Sequence, residues 1–566
     1  MLPLIFDMGC DDPTGAPKLA CLLLAAGLAC LRPRLPQSLP WLGLALWFGW
    51  GVVSALYNGY HTAWLPLLPI GASLVWILRE PQVMPWLALG WGGNVLYSWI
   101  QRLGMDPVHW NHPALSTLRT IGGLANPNYL SMYLAALFPF MWTHLYARGW
   151  LARVAGFLSL SALLLTATRG SILALSVVLV LSTLVSKLRD RRFWLITWGL
   201  FLASWAFSLQ ISQRSRFALT GHLQSLKRGA GDESVSARGQ LWKEAWRQGW
   251  THPIVGVGPG HFGDHYLLNR PVEPEFVRRL PRRPEDPHNE PLRVWCETGG
   301  VGLMLWLLWV GSALWRRRQD RSPESACLLV LLANGMTNCY PTAVWPLLVL
   351  WTVPPSSERG HFQPLGVLVA LATLLAGVAG WAAQRAFWWD EDIKLYPRQT
   401  PQLQALRVKW LSSVQIYCPP WYAEELAVRS SGSWQALANT SGDLAAWNQA
   451  ESWARQRLQL NDQGAYAYSM LADVVQSQQR WPEAVVLWKE AVRRDPRNPA
   501  FHFFLARAHY LNDDWRSALQ SSRESLEIYS KSSQVYQFRS QIMIDRGLTW
   551  EGYWDWVQSQ QVREGE

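Results

Sequence analysis

The chain has 566 residues, half of them apolar, a formal net charge of +11 and a mean hydropathy of zero. A uniformly soluble protein rarely holds that much apolar content, and a bare membrane bundle would average well above zero, so the mean combines an apolar part with a polar one. The 37 tryptophans favour lipid–water boundaries, and the basic excess fits residues flanking membrane helices and meeting anionic lipid or phosphate. No soluble basic patch with interleaved aromatics stands out, which argues against nucleic acid as a partner.

Apolar runs long enough, or nearly long enough, to cross a bilayer recur at 18–31, 41–58, 63–78, 84–100, 127–146, 152–167, 171–187, 193–210, 292–315, 324–339, 341–354 and 364–385. They predict an all-α, polytopic bundle of about twelve spans over residues 1–385. The start lacks the basic-then-apolar order and cleavage site of a signal peptide, so the first run is expected to stay as a membrane helix. Arg32/Arg34, Arg79, Arg148/Arg153, the 187–192 cluster and Arg316/Arg317/Arg318/Arg321 fall at every second connection. One topology places all of them in the cytoplasm. It puts Arg169, the long 211–291 loop and everything after Arg385 outside.

Beyond Arg385 the composition turns polar. Residues 386–429 read as a linker, and a period of 34 appears from about 430. Trp447, Trp481 and Trp515 are in step, as are Ala450, Ala484 and Ala518, and Leu471-Ala472 matches Leu505-Ala506. Such a period predicts a tetratricopeptide-like helical repeat over 430–566, a soluble domain of stacked helix pairs more often used for docking than for catalysis.

Seven cysteines show no CxxC spacing and imply neither a metal site nor a necessary disulfide. His252, His261, His265 and His288 lack the spacing of zinc ligands, and Gly263 weakens the helix that would align His261 with His265. Arg169, in Thr166-Ala-Thr-Arg-Gly-Ser171, is either an anchor snorkelling to headgroups or a functional cation on the outer face. Arg238 precedes a short amphipathic stretch (Leu241, Trp242, Ala245, Trp246) expected to lie on the membrane surface. Gly256-Val-Gly-Pro-Gly260 reads as a tight turn, since a P-loop's Lys-Ser/Thr is missing. His288, at the mouth of the bundle, suits proton transfer, while a structural histidine is the blander alternative. Arg282 and Arg283 are either phosphate contacts or a solvated basic stretch.

Taken together, five signatures resemble the O-antigen ligase/polymerase superfamily of bacterial membrane glycosyltransferases. These are Gly123-Leu-Ala-Asn-Pro-Asn128, Thr-Arg-Gly-Ser, Arg-Gly-Gln-Leu-Trp, Gly-Val-Gly-Pro-Gly-His-Phe, and His-Asn-Glu-Pro-Leu running into Glu297-Thr-Gly-Gly-Val-Gly302. The resemblance covers about residues 20–355 and leaves the repeat outside. It implies a polyprenyl-pyrophosphate-linked glycan donor and a lipid or protein hydroxyl acceptor (in a polymerase, another lipid-linked glycan), with no metal or nucleotide sugar. The site would face outward from the inner membrane. By the same resemblance His288 is the catalytic base or orienting group, and Arg169 and Arg238 bind the pyrophosphate. Guanidinium forks suit that role because the departing pyrophosphate gains negative charge. The repeat domain would hold an acceptor or a protein partner. Competing expectations are a polymerase, a transporter linked to inorganic carbon, and a non-catalytic scaffold. Charges sitting mostly at helix ends weigh against transport.

Overall fold

The computed structural model describes residues 15–30, 38–58, 84–108, 119–146, 148–185, 191–211, 233–269, 284–318, 322–341, 344–353, 364–394, 400–461 and 464–564. Among these the regular structure is entirely helical. The chain divides into two compact units. The first holds residues up to Asn58, Ala63–Pro259 and Asp286–Trp388; the second holds Gly59–Thr62, Gly260–Glu285 and Trp389–Glu566.

The first unit begins with α1 (Gly15–Cys30), α2 (Leu39–Tyr57), α3 (Met84–Arg102), α4 (Pro127–Tyr146), α5 (Trp150–Leu165), α6 (Arg169–Val185) and α7 (Arg191–Ile211). After α8 (Glu233–Thr251) and, in the second unit, a short α9 (Phe262–Tyr266), come α10 (Glu290–Arg317), α11 (Pro323–Gly335), α12 (Trp345–Thr352) and α13 (Pro364–Lys394). Helices thus occupy eleven of the twelve expected spans, and the run 63–78 lies outside the described residues. Three helical stretches, Leu39–Tyr57, Glu290–Arg317 and Gly366–Glu391, are long and apolar enough by themselves to cross a membrane. Pro17–Cys30, Trp150–Leu165, Arg169–Val185 and Pro323–Gly335 are apolar but shorter.

Packing in this unit is aromatic and close. Trp47 of α2 stacks on Trp309 of α10 at 5.6 Å and on Trp345 of α12 at 6.0 Å. The α2 and α10 backbones approach so closely at Gly43 that a methyl group there would lie 2.8 Å from the Trp309 Cα. The helix ends that the basic loops assign to one side also meet one another. Lys18 reaches the Gly123 carbonyl, Asn58 the Gly256 carbonyl, and Asn289 the Met336 carbonyl. At the opposite ends, Arg317 bonds the Trp351 carbonyl at 3.0 Å.

In the second unit the segment expected as a linker is helical instead, comprising the end of α13, α14 (Pro401–Val414) and the start of α15 (Ala423–Ser441). Its polar composition reflects ion pairing. Asp390, almost fully buried, accepts from Arg407 at 2.9 Å and Arg429 at 3.4 Å, and Arg429 also pairs with Glu391 at 2.8 Å. Thr400 caps α14 ahead of Pro401, a start signal that a compositional reading passes over. Helix pairs follow: α15 with α16 (Leu444–Leu460), α17 (Ala465–Ser477) with α18 (Trp481–Arg494), α19 (Pro499–Leu511) with α20 (Trp515–Ile528), and α21 (Ser533–Asp545) with α22 (Thr549–Glu564). The last three pairs keep the 34-residue step at both helix starts. In α16 the phase differs, so Trp447 lies inside the helix whereas Trp481 and Trp515 begin theirs.

The period encodes a column of small side chains at the helix crossings. Ala450, Ala484 and Ala518 have no exposed surface, and one step on stands Gly552, where a methyl group would lie 2.8 Å from Ile544 Cγ1. Leu267, from the long loop, is fully buried in the same core as Leu471, Ala484 and Trp488. We expect Ala518→Leu to overpack this column and cost about 1–3 kcal/mol. The exposed Gln520→Leu on the same helix should stay within about 0.5 kcal/mol. Thermal unfolding of the purified chain followed by circular dichroism checks both.

Candidate active site

Two of the expected site residues, His288 and Arg169, lie where the starts of α4, α6 and α10 meet the turn that follows α11. Each of these helices is entered through a left-handed, non-glycine residue two positions earlier: Ala125 (φ 52°), Ala167 (φ 52°) and His288 (φ 52°). In the third case Asp286 makes the turn by accepting from the His288 backbone N–H at 2.7 Å. Its carboxylate also lies 3.4 Å from the His288 ring Nδ1. Asn289 then caps α10, accepting from the Leu292 N–H at 3.0 Å while its amide donates to the Met336 carbonyl at 2.9 Å. The His288 ring is 45% exposed and so open to a substrate.

Arg169 is exposed at the start of α6. Beside it, Gly170 abuts the same turn so tightly that a methyl group would lie 2.6 Å from Thr337 Oγ1. A buried hydroxyl–amide chain fixes this helix from below. Ser131 and Ser171 are 2.8 Å apart, and Ser171 donates to Asn334 Oδ1 at 2.6 Å. Thr168 donates to the Pro127 carbonyl at 3.2 Å and to Asn128 Oδ1 at 3.4 Å, tying the Asn-Pro-Asn signature to the Thr-Arg-Gly-Ser signature. His288 and Arg169 are therefore held against one short segment, 336–338.

Sequence reasoning missed several groups here. Arg119 donates to the Thr166 carbonyl at 2.8 Å and to Thr168 Oγ1 at 3.3 Å, which brings its guanidinium to the segment that precedes Arg169. Burial pulls its pKa down, though a guanidinium remains charged at neutral pH. Lys18, buried, donates to the Gly123 carbonyl at 3.0 Å, and Asn94 and Gln101 accept from the backbone N–H groups of Ile121, Gly122 and Gly123. In α10 Arg293 lies between Glu290 and Glu297, bonding both buried carboxylates, and its guanidinium sits 5.9 Å from the Trp345 ring centre. The i, i+3 and i, i+4 spacing of this triad was visible in the sequence.

The glycine signature packs against a break in α10. At Gly299 α10 breaks (φ 68°, ψ −170°), which frees carbonyls that a continuous helix would use. Val257 N–H donates to the Cys296 carbonyl at 2.8 Å and Gly258 N–H to the Glu297 carbonyl at 3.0 Å. Trp50 Nε1 donates to the Thr298 carbonyl at 2.9 Å, and Ser54 to the Glu297 carbonyl at 3.1 Å. The expected tight turn is thus present as a plug for a broken helix.

Arg238 is half-buried near the start of α8. That helix is fixed to α10 at Gly249, where the Trp295 indole leaves no room for a side chain. The contact lies eleven residues, or about 16 Å of helix, beyond Arg238. Within the stretch expected on the membrane surface, Ala245 is turned fully inward, while Trp246, exposed, joins Trp250 and Trp295 in an aromatic cluster. Arg282 and Arg283 lie outside the described residues. His261 is the residue before α9, a five-residue helix that carries His265.

This unit is an apolar helical bundle with three helical stretches long and apolar enough to cross a membrane, the class of a polytopic membrane protein. Residues 154–307 match the model of the family described as O-Antigen ligase (Wzy_C), so the chain carries a domain of the O-antigen ligase superfamily. No curated protein matches the chain. Among solved structures, a crystal structure of MamA aligns at 13% identity over 29% of this chain and 91% of its own, with a TM-score of 0.24. MamA from Desulfovibrio magneticus RS-1 (residue 41 to the end) aligns at 11% identity over 34% and 97%, with a TM-score of 0.27. Likenesses at that level carry no argument about this chain.

Two outcomes follow from the geometry. Arg293→Ala strands the buried Glu290 and Glu297 and should destabilise the protein by about 3–5 kcal/mol. Gly299→Ala forces a side chain into a left-handed position 2.3 Å from the Ile254 carbonyl oxygen, and folded protein should be lost. Thermal stability and monodispersity of the detergent-purified variants report both.

Proposed function

We propose that the chain is an O-antigen ligase-like glycosyltransferase, moving a glycan from a polyprenyl-pyrophosphate carrier to a lipid or protein hydroxyl. The reaction takes place at the outer face of the cytoplasmic membrane. The carrying observation is the shared turn at 336–338, against which both the Asn289 cap after His288 and the Gly170 backbone after Arg169 are packed. In this reading His288 takes the proton from the acceptor hydroxyl, and the acceptor oxygen attacks the anomeric carbon. The bond from that carbon to the pyrophosphate oxygen breaks, and its electron pair leaves on the pyrophosphate.

Arg169, Arg238 and Arg119 supply positive charge for the departing group, which removes the need for a metal. Arg282 and Arg283 are proposed as outer contacts of the same pyrophosphate. The charge of the basic loops assigns these residues, and separately the repeat domain, to the exterior. A polymerase of the same superfamily would use the same groups with a second lipid-linked glycan as acceptor.

Because His288 holds a left-handed turn, His288→Asn is the cleaner test: asparagine tolerates that backbone and removes the imidazole. Purified protein is supplied with polyprenyl-pyrophosphate glycan and separate lipid, protein and donor-only acceptors. Transfer should fall by about 10²–10⁴-fold in the folded variant. Equal rates in variant and wild type would defeat the assignment, and the acceptor used separates ligase from polymerase.

A further inference from the structure

The second unit holds a cavity of about 240 Å³ lined by Asp264, His265, Leu268, Arg493 and Arg494. Two elements far apart in sequence form it: the loop segment around α9 and the last turn of α18. Leu267, fully buried in the repeat core, pins the loop segment there. Asp264, nearly buried, lies 3.5 Å from the Asn461 amide nitrogen.

The two arginines are not part of the repeat pattern. One period earlier the equivalent positions hold Gln459 and Leu460, and one period later Glu527 and Ile528. A general preference for cations at helix C-termini would act on all three helices, so it does not account for a pair found only where the loop segment packs. Arg494 is pre-oriented, with its guanidinium carbon 4.1 Å from the Tyr468 ring centre and a hydrogen bond of 3.2 Å to the Tyr468 hydroxyl. Both arginines pair with Glu490, so two guanidiniums share one carboxylate there. Arg493 is 69% exposed at the rim.

We propose that this cavity binds an anionic sugar, a uronate or a phosphorylated hexose. Arg493, Arg494 and His265 hold the acidic group, and Asp264 accepts from ring hydroxyls. Guanidinium forks match carboxylate and phosphate oxygens, while a carboxylate acceptor beside them suits a polyol and not a bare anion. The volume, below the roughly 300–1,000 Å³ of drug-sized pockets, suits a single sugar ring. That the sugar belongs to a transferred or accepting glycan rests on the proposed function; the binding itself does not.

Isothermal titration of the full detergent-purified chain tests this with a glucuronic acid tetrasaccharide, mannose 6-phosphate, neutral maltotetraose and inorganic phosphate. At least one anionic sugar should bind, at least tenfold more tightly than maltotetraose or phosphate. Arg493→Gln, at an exposed position, should weaken it about tenfold or more. Leu268→Trp, which fills the cavity from a partly exposed site, should abolish it. Unchanged binding in either variant overturns the proposal, as does equal affinity for maltotetraose or for phosphate. Titration needs no turnover. Absence of anionic-sugar binding in a chain that still transfers glycan therefore overturns this inference alone, and binding in a chain without transferase activity overturns the proposed function alone.

Discussion

The first unit depends on how a broken helix is satisfied. Within a bilayer an unpaired carbonyl costs several kcal/mol, so a span can open only where protein groups replace the lost helical bonds. At Gly299 α10 opens, and its freed carbonyls are taken by the backbone of Val257 and Gly258 and by the side chains of Trp50 and Ser54. One constraint therefore locks three pieces together: the end of α2, the start of α10 and the loop segment 253–258. Since α10 begins at His288-Asn289-Glu290, fixing its first turns also fixes the histidine. The Glu290–Arg293–Glu297 triad holds the same turns from inside, and the Tyr340 N–H donates to Glu290, extending the lock to the turn after α11. Catalytic geometry needs such support, because a loosely held base loses most of its advantage.

Much of this was legible in the sequence, for physical reasons that can be named. Long apolar runs predict helices because the bilayer sets the length of a span; eleven of the twelve runs are helical, and three helical stretches are long and apolar enough to cross a membrane. The 34-residue step was readable because small residues at helix crossings must recur wherever the same hairpin recurs, and Ala450, Ala484 and Ala518 do so with no exposed surface. Three of the signatures were readable because they are local, each closing one helix start, at α4, α6 and α10. The Arg293 triad was equally local and was passed over for want of looking at its spacing.

Other features could not be read, because they pair residues distant in the chain. Nothing near Lys18 announces that its ammonium meets Gly123, and nothing near Leu267 announces that it completes a core built 200 residues later. Residues 386–429 read as a linker on composition, and within them Asp390, Arg407 and Arg429 neutralise one another in a buried cluster. Composition records that charges are present and is silent on whether they are paired.

The convergence of three helix starts gives the proposed chemistry an electrostatic basis beyond its arginines. A helix N-terminus carries about half a positive charge on unpaired N–H groups. The starts of α4, α6 and α10 are joined by Thr168 to Asn128, by Gly170 against Thr337, and by Asn289 to Met336. Left-handed residues at 125, 167 and 288 turn the chain into each start, at a cost of order 1 kcal/mol apiece for non-glycine residues. At His288 the turn is fixed by the side-chain acceptors Asp286 and Asn289. Fixed dipoles of this kind need no reorganisation as charge develops, unlike water. A departing pyrophosphate would meet a positive region already in place, with the guanidiniums of Arg119 and Arg169 adding directional hydrogen bonds to it.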